Sequence, residues 1–140
     1  MNRIRGDIVI PLFIVVFIVL GCSSLWRNLK PRVGPPHRVD GGVIFEFFAP
    51  SAHTVTLAGD FNRWGGTSDG VYNPNIDRMY DDGTHGDRLA GDGIWTIIKE
   101  LPPGKYQYKF VVDGTTWYND PSNPETQEEG GFINSVIRVK

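Results

Sequence analysis

The sequence predicts an all-β fold, a sandwich of six to eight short antiparallel strands. Short apolar runs with strand-like composition recur through residues 42–140, and no stretch there shows the apolar period of a helix. The chain also carries 17 glycines and 10 prolines among its 140 residues, which suits the many turns that join short strands. A chain of this length has room for one such domain.

Six runs are predicted as strands: 43–48, 54–58, 94–100, 105–112, 116–118 and 132–139. The fourth run alternates aromatic or aliphatic residues with polar ones and meets Asp113-Gly114, a strong hairpin signal because both residues tolerate positive φ. Strands of this length and spacing predict a sandwich of the immunoglobulin type.

The N-terminal segment has the pattern of an export signal. Basic residues at positions 3 and 5 precede an apolar run, 8–20, which is short for the roughly 20 residues that span a membrane. The run ends at Gly21-Cys22, which resembles the processing site of bacterial lipoproteins. We therefore predict a signal peptide over 1–21 and a mature chain whose first residue, Cys22, carries acyl chains such as palmitate. An uncleaved anchor or a buried thiol is the alternative.

Residues 22–41 are predicted to form the lipidated N-terminus and a semi-rigid linker, because prolines recur at 31, 35 and 36 without an apolar period. The β-domain then occupies 42–140. Such a chain is expected at a bacterial cell envelope, attached to the outer or the plasma membrane through its lipid.

Charge and motif content exclude several classes of function. A net charge of −2 offers no basic face for nucleic acid. The Gly-x-Ser-x-Gly nucleophile elbow, the phosphate-binding loop and the His-Glu-x-x-His motif are all absent. Carboxylates that could pair for glycoside hydrolysis occur only in polar surroundings, where nothing favours a protonated acid. We therefore expect a binding protein that is not an enzyme and needs no cofactor.

An acidic stretch follows the second predicted strand: residues 81–93 hold four aspartates and four glycines. Carboxylates at this density suit Ca²⁺, but their spacing does not match the EF-hand loop. Asp and Gly also form turns by themselves. We predict a turn-rich connection that folds without metal, and a calcium site is the alternative.

Three blocks follow one another in a specific order. The first ends in Phe61-Asn62-Arg63-Trp64, the second runs from Tyr106 to Gly114 and on to Trp117, and the third starts at Asn134. Together they resemble the glycogen-binding domain of the AMP-activated protein kinase β subunit and the wider carbohydrate-binding module family 48. The resemblance covers about 43–139 and breaks at an insertion, 65–93. It implies an early-set immunoglobulin-like sandwich.

The resemblance also implies an α-glucan ligand, glycogen- or starch-like, and four residues that bind it: Trp64, Lys109, Trp117 and Asn134. An aromatic face packs on the C–H face of a pyranose, and Lys and Asn donate hydrogen bonds to its hydroxyls. Gly130 and Phe132 stand where the animal domain has a leucine and a threonine. The leucine loop that clamps the sugar is therefore expected to be missing, with Phe132 replacing only part of its apolar contact, so weak binding is expected.

Alternation along the strands adds expectations about which way side chains point. Lys109 should point away from the face that Tyr108 and Phe110 share. Trp117 stands one residue further from the Asp-Gly turn than in the similar domain, so it changes face unless the turn absorbs the extra residue. Three other aromatic residues are predicted to belong to the core: Trp95, Tyr106 and Tyr108.

Three functions remain open on the sequence. The leading hypothesis is a non-catalytic α-glucan-binding lipoprotein at the cell envelope. The second is an early-set domain that docks onto an envelope enzyme or assembly through protein–protein contacts. The third is an accessory domain of an amylase-type glycoside hydrolase system. Exposure of Trp64 and Trp117 on one surface would favour sugar, whereas a Trp117 in the core would favour the second hypothesis.

Overall fold

The computed structural model describes residues 33–140, which form two antiparallel sheets. Eight strands occur there: β1 His37–Val39, β2 Gly42–Phe48, β3 Val55–Gly59, β4 Ile94–Lys99, β5 Gly104–Val112, β6 Thr116–Tyr118, β7 Thr126–Glu129 and β8 Phe132–Val139. The only helical elements among these residues are two 3₁₀ turns, Asp60–Asn62 and Thr67–Asp69. The predicted all-β sandwich is thus confirmed.

The signal peptide predicted over 1–21, the lipidation predicted at Cys22 and the linker up to residue 32 lie outside the described residues. Within residues 33–140, none of the helical segments has the length and hydrophobicity that crossing a bilayer requires.

The three-stranded sheet has the order β1-β2-β4, and the five-stranded sheet has the order β3-β5-β8-β7, with β6 also pairing with β5. Strand β5 is central: Leu57 of β3 lies opposite Phe110, and Ser135 of β8 lies opposite Tyr108. Because side chains alternate between faces along a strand, this register assigns every residue of the larger sheet to the core or to the outer face.

The core lies between the sheets, where aromatic rings from both sides pack together. Phe45 meets Tyr108 edge-on at a centroid distance of 5.1 Å, and Phe47 stacks on Phe110 at 4.5 Å. Tyr108 is fully buried, and Trp95 and Tyr106 are partly buried against the same cluster, as the sequence predicted. Since Tyr108 and Phe110 face inward, Lys109 between them points to the outer face.

A three-residue loop joins β5 to β6, because Val112 pairs with Thr116. Asp113 and Gly114 adopt φ values of 50° and 70°, the left-handed region that this hairpin signal predicts. Hydrogen bonds from the backbone N–H groups of Thr54 and His53 hold the Asp113 carboxylate and lower its pKa. The loop absorbs the extra residue, so Trp117 pairs with Val111 and shares the outer face with Lys109.

Two strands were not predicted. Strand β1 falls in the segment assigned to the linker, yet its residues pair with β2, so the prediction of a linker extending to residue 41 does not describe residues 37–39. Strand β7, whose sequence is Thr-Gln-Glu-Glu, pairs with β8 at the edge of the larger sheet. Both strands lack the alternation of apolar residues on which strand prediction depends.

Candidate functional site

A surface cavity of about 510 Å³ lies on the outer face of the five-stranded sheet. Its lining residues come from β5, β6, β7, β8 and the turns after β3, and they are Asp60, Trp64, Thr67, Lys109, Trp117, Glu129, Phe132 and Asn134. All four residues predicted to bind sugar are among them. The structure therefore brings these four side chains together, and their binding of sugar stays a prediction.

Trp64 lies in a tight turn that follows β3. The 3₁₀ turn Asp60–Asn62 is followed by Arg63 and Trp64, both in the left-handed region with φ of 57° and 58°. This conformation costs a residue with a side chain roughly 1–2 kcal/mol. The Trp64 N–H donates to the Gly59 carbonyl at 2.9 Å, which closes the turn and sets the half-buried indole against the cavity.

Asn62 holds that turn with four side-chain hydrogen bonds. Its Oδ1 accepts from the N–H groups of Gly59 and Gly65 at 2.9 and 3.0 Å. Its Nδ2 donates to the Leu57 carbonyl at 2.7 Å and to Asp77 Oδ2 at 2.6 Å. A primary amide has two donors and an acceptor oxygen with two lone pairs, so Asn62 uses its full capacity. These bonds offset the cost of the two left-handed residues beside it.

Lys109 and Asn134 project from neighbouring strands at the floor of the cavity. Lys109 is half-buried and has no hydrogen bond or ion pair with any residue between 33 and 140. Asn134 is buried, and its Nδ2 donates to Gln107 Oε1 at 3.0 Å. Gln107 in turn donates to Glu129 through Nε2 and, through its backbone N–H, to Asp60 at 2.8 Å. This chain of bonds fixes the amide of Asn134 and leaves the ammonium group of Lys109 available.

Trp117 lies on the outer face and not in the core. It is half-buried and lines the cavity beside Lys109, while its neighbour Tyr118 turns to the inner face and packs against Phe47 at a centroid distance of 5.8 Å. Two indoles, an ammonium group and an amide thus border one space. Apolar faces combined with a few oriented donors are what a pyranose ring requires.

Three further lining residues were not assigned to the site from the sequence, Asp60, Thr67 and Glu129, whereas the fourth, Phe132, was expected to make an apolar contact there. Phe132 carries a signal in the sequence, because it shares the face of Asn134 two residues later on β8. It is 68% exposed, which is unusual for a phenylalanine. Glu129 lies directly opposite Phe132 on β7, a strand that the sequence did not predict.

The charges around the cavity suit a neutral ligand. Lys109 contributes one positive charge, and Asp60 and Glu129 contribute two negative charges. A phosphate or a carboxylate would meet both attraction and repulsion there, whereas neutral hydroxyl groups can pair with donors and acceptors of either sign.

The acidic stretch forms turns and bends, and it brings three carboxylates together. Oxygens of Asp81, Asp87 and Asp92 lie within 4.8 Å of one another. Each aspartate already accepts backbone hydrogen bonds: Asp81 from Gly91 and Gly93, Asp87 from Gly83, and Asp92 from Ile94. These bonds hold the three carboxylates in the loop, and both the metal-free connection and the calcium alternative stay predictions. The stretch does not contribute to the lining of the cavity.

Residues 82–140 match the family described as the glycogen recognition site of AMP-activated protein kinase. The chain is 35% identical over 117 residues to subunit beta-2 of that kinase from Homo sapiens, a match that covers 84% of this chain and 35% of the relative. It is 46% identical over 46 residues to subunit beta-1 from Sus scrofa, covering 33% of this chain and 37% of the relative.

A further relative, subunit beta-1 from Bos taurus, is 48% identical over 46 residues, which is 33% of this chain and 17% of the relative. The chain therefore spans about a third of the length of the relatives with the longest matches. The family match contains three of the four predicted binding residues, Lys109, Trp117 and Asn134.

Proposed function

Because the sandwich of this chain is a domain of the carbohydrate-binding module 48 type found in AMP-activated protein kinase β subunits, we propose that it binds α-glucan, glycogen- or starch-like, at the cavity on its outer sheet. One observation carries the proposal. Trp64, Lys109, Trp117 and Asn134 come from four separate segments of the chain and border a single cavity.

The size and shape of the cavity support a sugar ligand. Its volume of about 510 Å³ falls within the ~300–1,000 Å³ of small-molecule sites. The two indoles offer flat apolar surfaces, and each such contact contributes about 1 kcal/mol beyond the area that it buries. With few such contacts on an open surface, we expect a dissociation constant on the order of micromolar to millimolar.

Binding without hydrolysis is the second part of the proposal. The two carboxylates at the cavity, Asp60 and Glu129, are exposed and both accept hydrogen bonds from Gln107. Neither lies in the apolar setting that keeps an acid protonated for glycoside cleavage. The purified chain is expected to leave amylose, pullulan and nitrophenyl glucosides intact. Turnover above a blank that survives repurification would refute this part.

Attachment to a bacterial envelope is the third part. It is supported by the basic start, the apolar run 8–20 and Gly21-Cys22. The native protein should begin at an acylated Cys22 and hold glucan at the membrane surface through its lipid. Mass spectrometry of the native N-terminus tests this. An intact Met1 or an unmodified Cys22 thiol would refute it.

Affinity electrophoresis through a gel that contains glycogen tests the central part. The full chain, purified in a detergent without a sugar head group, should be retarded relative to a glycogen-free gel. Trp64→Ala should lose most of the retardation, a weakening of about tenfold or more, since it removes one stacking platform.

Leu89→Ala is the matched control, because Leu89 is 63% exposed and does not line the cavity. Its retardation should equal that of the wild type, and the melting temperature of Trp64→Ala should stay within a few degrees of the wild-type value. A wild-type chain that runs unretarded would refute glucan binding. Unfolding of Trp64→Ala would show that Trp64 supports the fold and that the site is misplaced.

A further inference from the structure

The insertion, the segment 65–93 at which the family resemblance was expected to break, is built into the sandwich, and the family match begins within it, at residue 82. Its residue Met79 is fully buried in the core, and the Met79 N–H donates to the Val55 carbonyl at 2.8 Å. Two residues earlier, the Asp77 carbonyl accepts from the Leu57 N–H at 3.0 Å. The insertion therefore pairs with the outer edge of β3.

From β3 the insertion crosses to the other sheet. Tyr80 and Thr96 of β4 exchange both backbone hydrogen bonds, at 2.9 and 2.8 Å. The side chain of Asp77 also forms an ion pair with Lys99 of β4 at 2.8 Å. Because both ends of this crossing are bonded to strands, the residues just before it have a defined position relative to the larger sheet.

Tyr72 is one of those residues, and it contacts Trp117. The two rings meet edge to face, with a centroid distance of 6.0 Å and an interplanar angle of 68°. The hydroxyl of Tyr72 is hydrogen-bonded to Oγ1 of Thr56, on the outer face of β3, at 2.6 Å. Tyr72 thus joins β3 on one side to Trp117 on the other, and it does not line the cavity itself.

Trp117 has limited support from the sheet. It lies on β6, a strand of three residues that pairs only with β5 among the described strands. A partly exposed indole on so short a strand has few neighbours that fix its rotamer, and a ligand that stacks on it requires one rotamer. A contact that selects the rotamer beforehand reduces the entropy lost on binding.

We propose that Tyr72 is a positioning residue of the binding site. Its ring contact fixes the rotamer of Trp117 in which the indole can stack on the sugar. The proposal depends on the proposed function, because it concerns the same cavity. It assigns to the insertion a role in ligand affinity.

The test compares Tyr72→Leu, which removes the aromatic edge, with Tyr72→Phe, which keeps the ring and loses only the hydroxyl. Titration with maltoheptaose should show about a tenfold weakening for Tyr72→Leu and at most about threefold for Tyr72→Phe. Val71→Ala, next to Tyr72 and 77% exposed, should bind as the wild type does.

A double-mutant cycle separates positioning from general destabilisation. In a Trp117→Ala background, Tyr72→Leu should cause no further loss of affinity, because the ring that it positions is gone. The near-ultraviolet circular dichroism of Trp117, taken as the difference between wild type and Trp117→Phe, should be largely lost in Tyr72→Leu and retained in Tyr72→Phe.

If the wild type binds maltoheptaose and Tyr72→Leu binds equally well, or if its loss persists undiminished in the Trp117→Ala background, the positioning role is refuted while glucan binding stands. If the wild type does not bind, the proposed function fails, and the positioning role fails with it.

Discussion

Tyr108 places a polar group inside the core, and a network of hydrogen bonds satisfies it. Its hydroxyl donates to Asp120 Oδ2 at 2.7 Å and accepts from Asn123 Nδ2 at 3.0 Å. Burial, together with the negative charge of Asp120, raises the pKa of Tyr108 far above its ordinary value, so the hydroxyl remains a donor at neutral pH. Asp120 is itself buried, and its backbone N–H donates to Ser135 Oγ at 2.8 Å. These hydrogen bonds attach the loop between β6 and β7 to the inner face of the larger sheet, at Tyr108 and Ser135.

Removing the Tyr108 hydroxyl should therefore be costly. We expect Tyr108→Phe to lower the free energy of unfolding by about 2 kcal/mol, or roughly 10 °C in melting temperature, because a buried carboxylate loses a donor. Tyr106→Phe is the matched control on the same strand, since the Tyr106 hydroxyl donates to the exposed carbonyl of Pro102. Thermal melts followed by circular dichroism compare the two. Equal losses would contradict the role of the network.

Lys109 should matter for binding and hardly at all for stability. Lys109→Ala removes a donor at the floor of the cavity, so we expect glucan affinity to fall about three- to tenfold with little change in melting temperature. Lys105 lies on the same face of β5, four residues away, and is hydrogen-bonded to Gln127. Titration of Lys105→Ala with maltoheptaose should match the wild type. An equal effect of both lysines would indicate a general influence of surface charge.

At the scale of elements, prediction succeeded where apolar residues alternate. Strands β2, β5 and β8 bury large side chains on the inner face, and this burial is what the sequence pattern records. Strand β7 is entirely polar because it lies at a sheet edge, and β1 has three residues and one apolar side chain. Each pairs with the next strand across a two-residue turn, Asp40-Gly41 after β1 and Gly130-Gly131 after β7, so the sequence carried a hairpin signal but no apolar alternation beside it.

The hairpin of β7 and β8 carries two exposed apolar residues on opposite faces. Phe132 lines the cavity, whereas Ile133, 54% exposed, points to the other side. We expect Phe132→Ala to weaken glucan binding about three- to tenfold, since it removes an aromatic contact at the rim. Ile133→Ala, the control of similar exposure, should leave affinity unchanged when both are measured by calorimetry. A larger loss of affinity for Ile133→Ala than for Phe132→Ala would show that the sugar binds elsewhere than at the cavity.

The acidic loop, 81–93, is expected to fold without metal, because its three clustered aspartates already accept backbone hydrogen bonds. Millimolar Ca²⁺ should leave the melting temperature unchanged relative to a sample treated with chelator. A ligand that binds only the native state must stabilise it. A rise of many degrees would therefore establish a calcium site at Asp81, Asp87 and Asp92.

The candidate site lies where four separate segments of the chain meet. The resemblance to a known family named Trp64, Lys109, Trp117 and Asn134, and the structure places all four at one cavity. The sequence alone did not reveal what holds them there. The bond of Asn62 to Asp77 and the contact of Tyr72 with Trp117 both involve residues of the insertion, where no periodic apolar pattern guides prediction.

The insertion also links the two sheets of the sandwich. By pairing with both β3 and β4, residues 77–80 connect one edge of each sheet and add Met79 to the core. A segment without strand or helix periodicity in the sequence thus contributes to the core and contacts Trp117 on the outer face. The sequence did not predict the burial of Met79, because a single apolar residue within a polar stretch produces no periodic pattern.

Calorimetric titration of the full chain with maltoheptaose, an α-1,4-linked glucan, decides whether the cavity is an α-glucan site, and β-1,4-linked cellohexaose is the matched control. We expect saturable binding of maltoheptaose with a dissociation constant between about 1 μM and 1 mM, toward the weaker end, and cellohexaose binding at least about tenfold weaker. The absence of heat with millimolar maltoheptaose, or equal binding of the two sugars, would contradict the assignment of an α-glucan site.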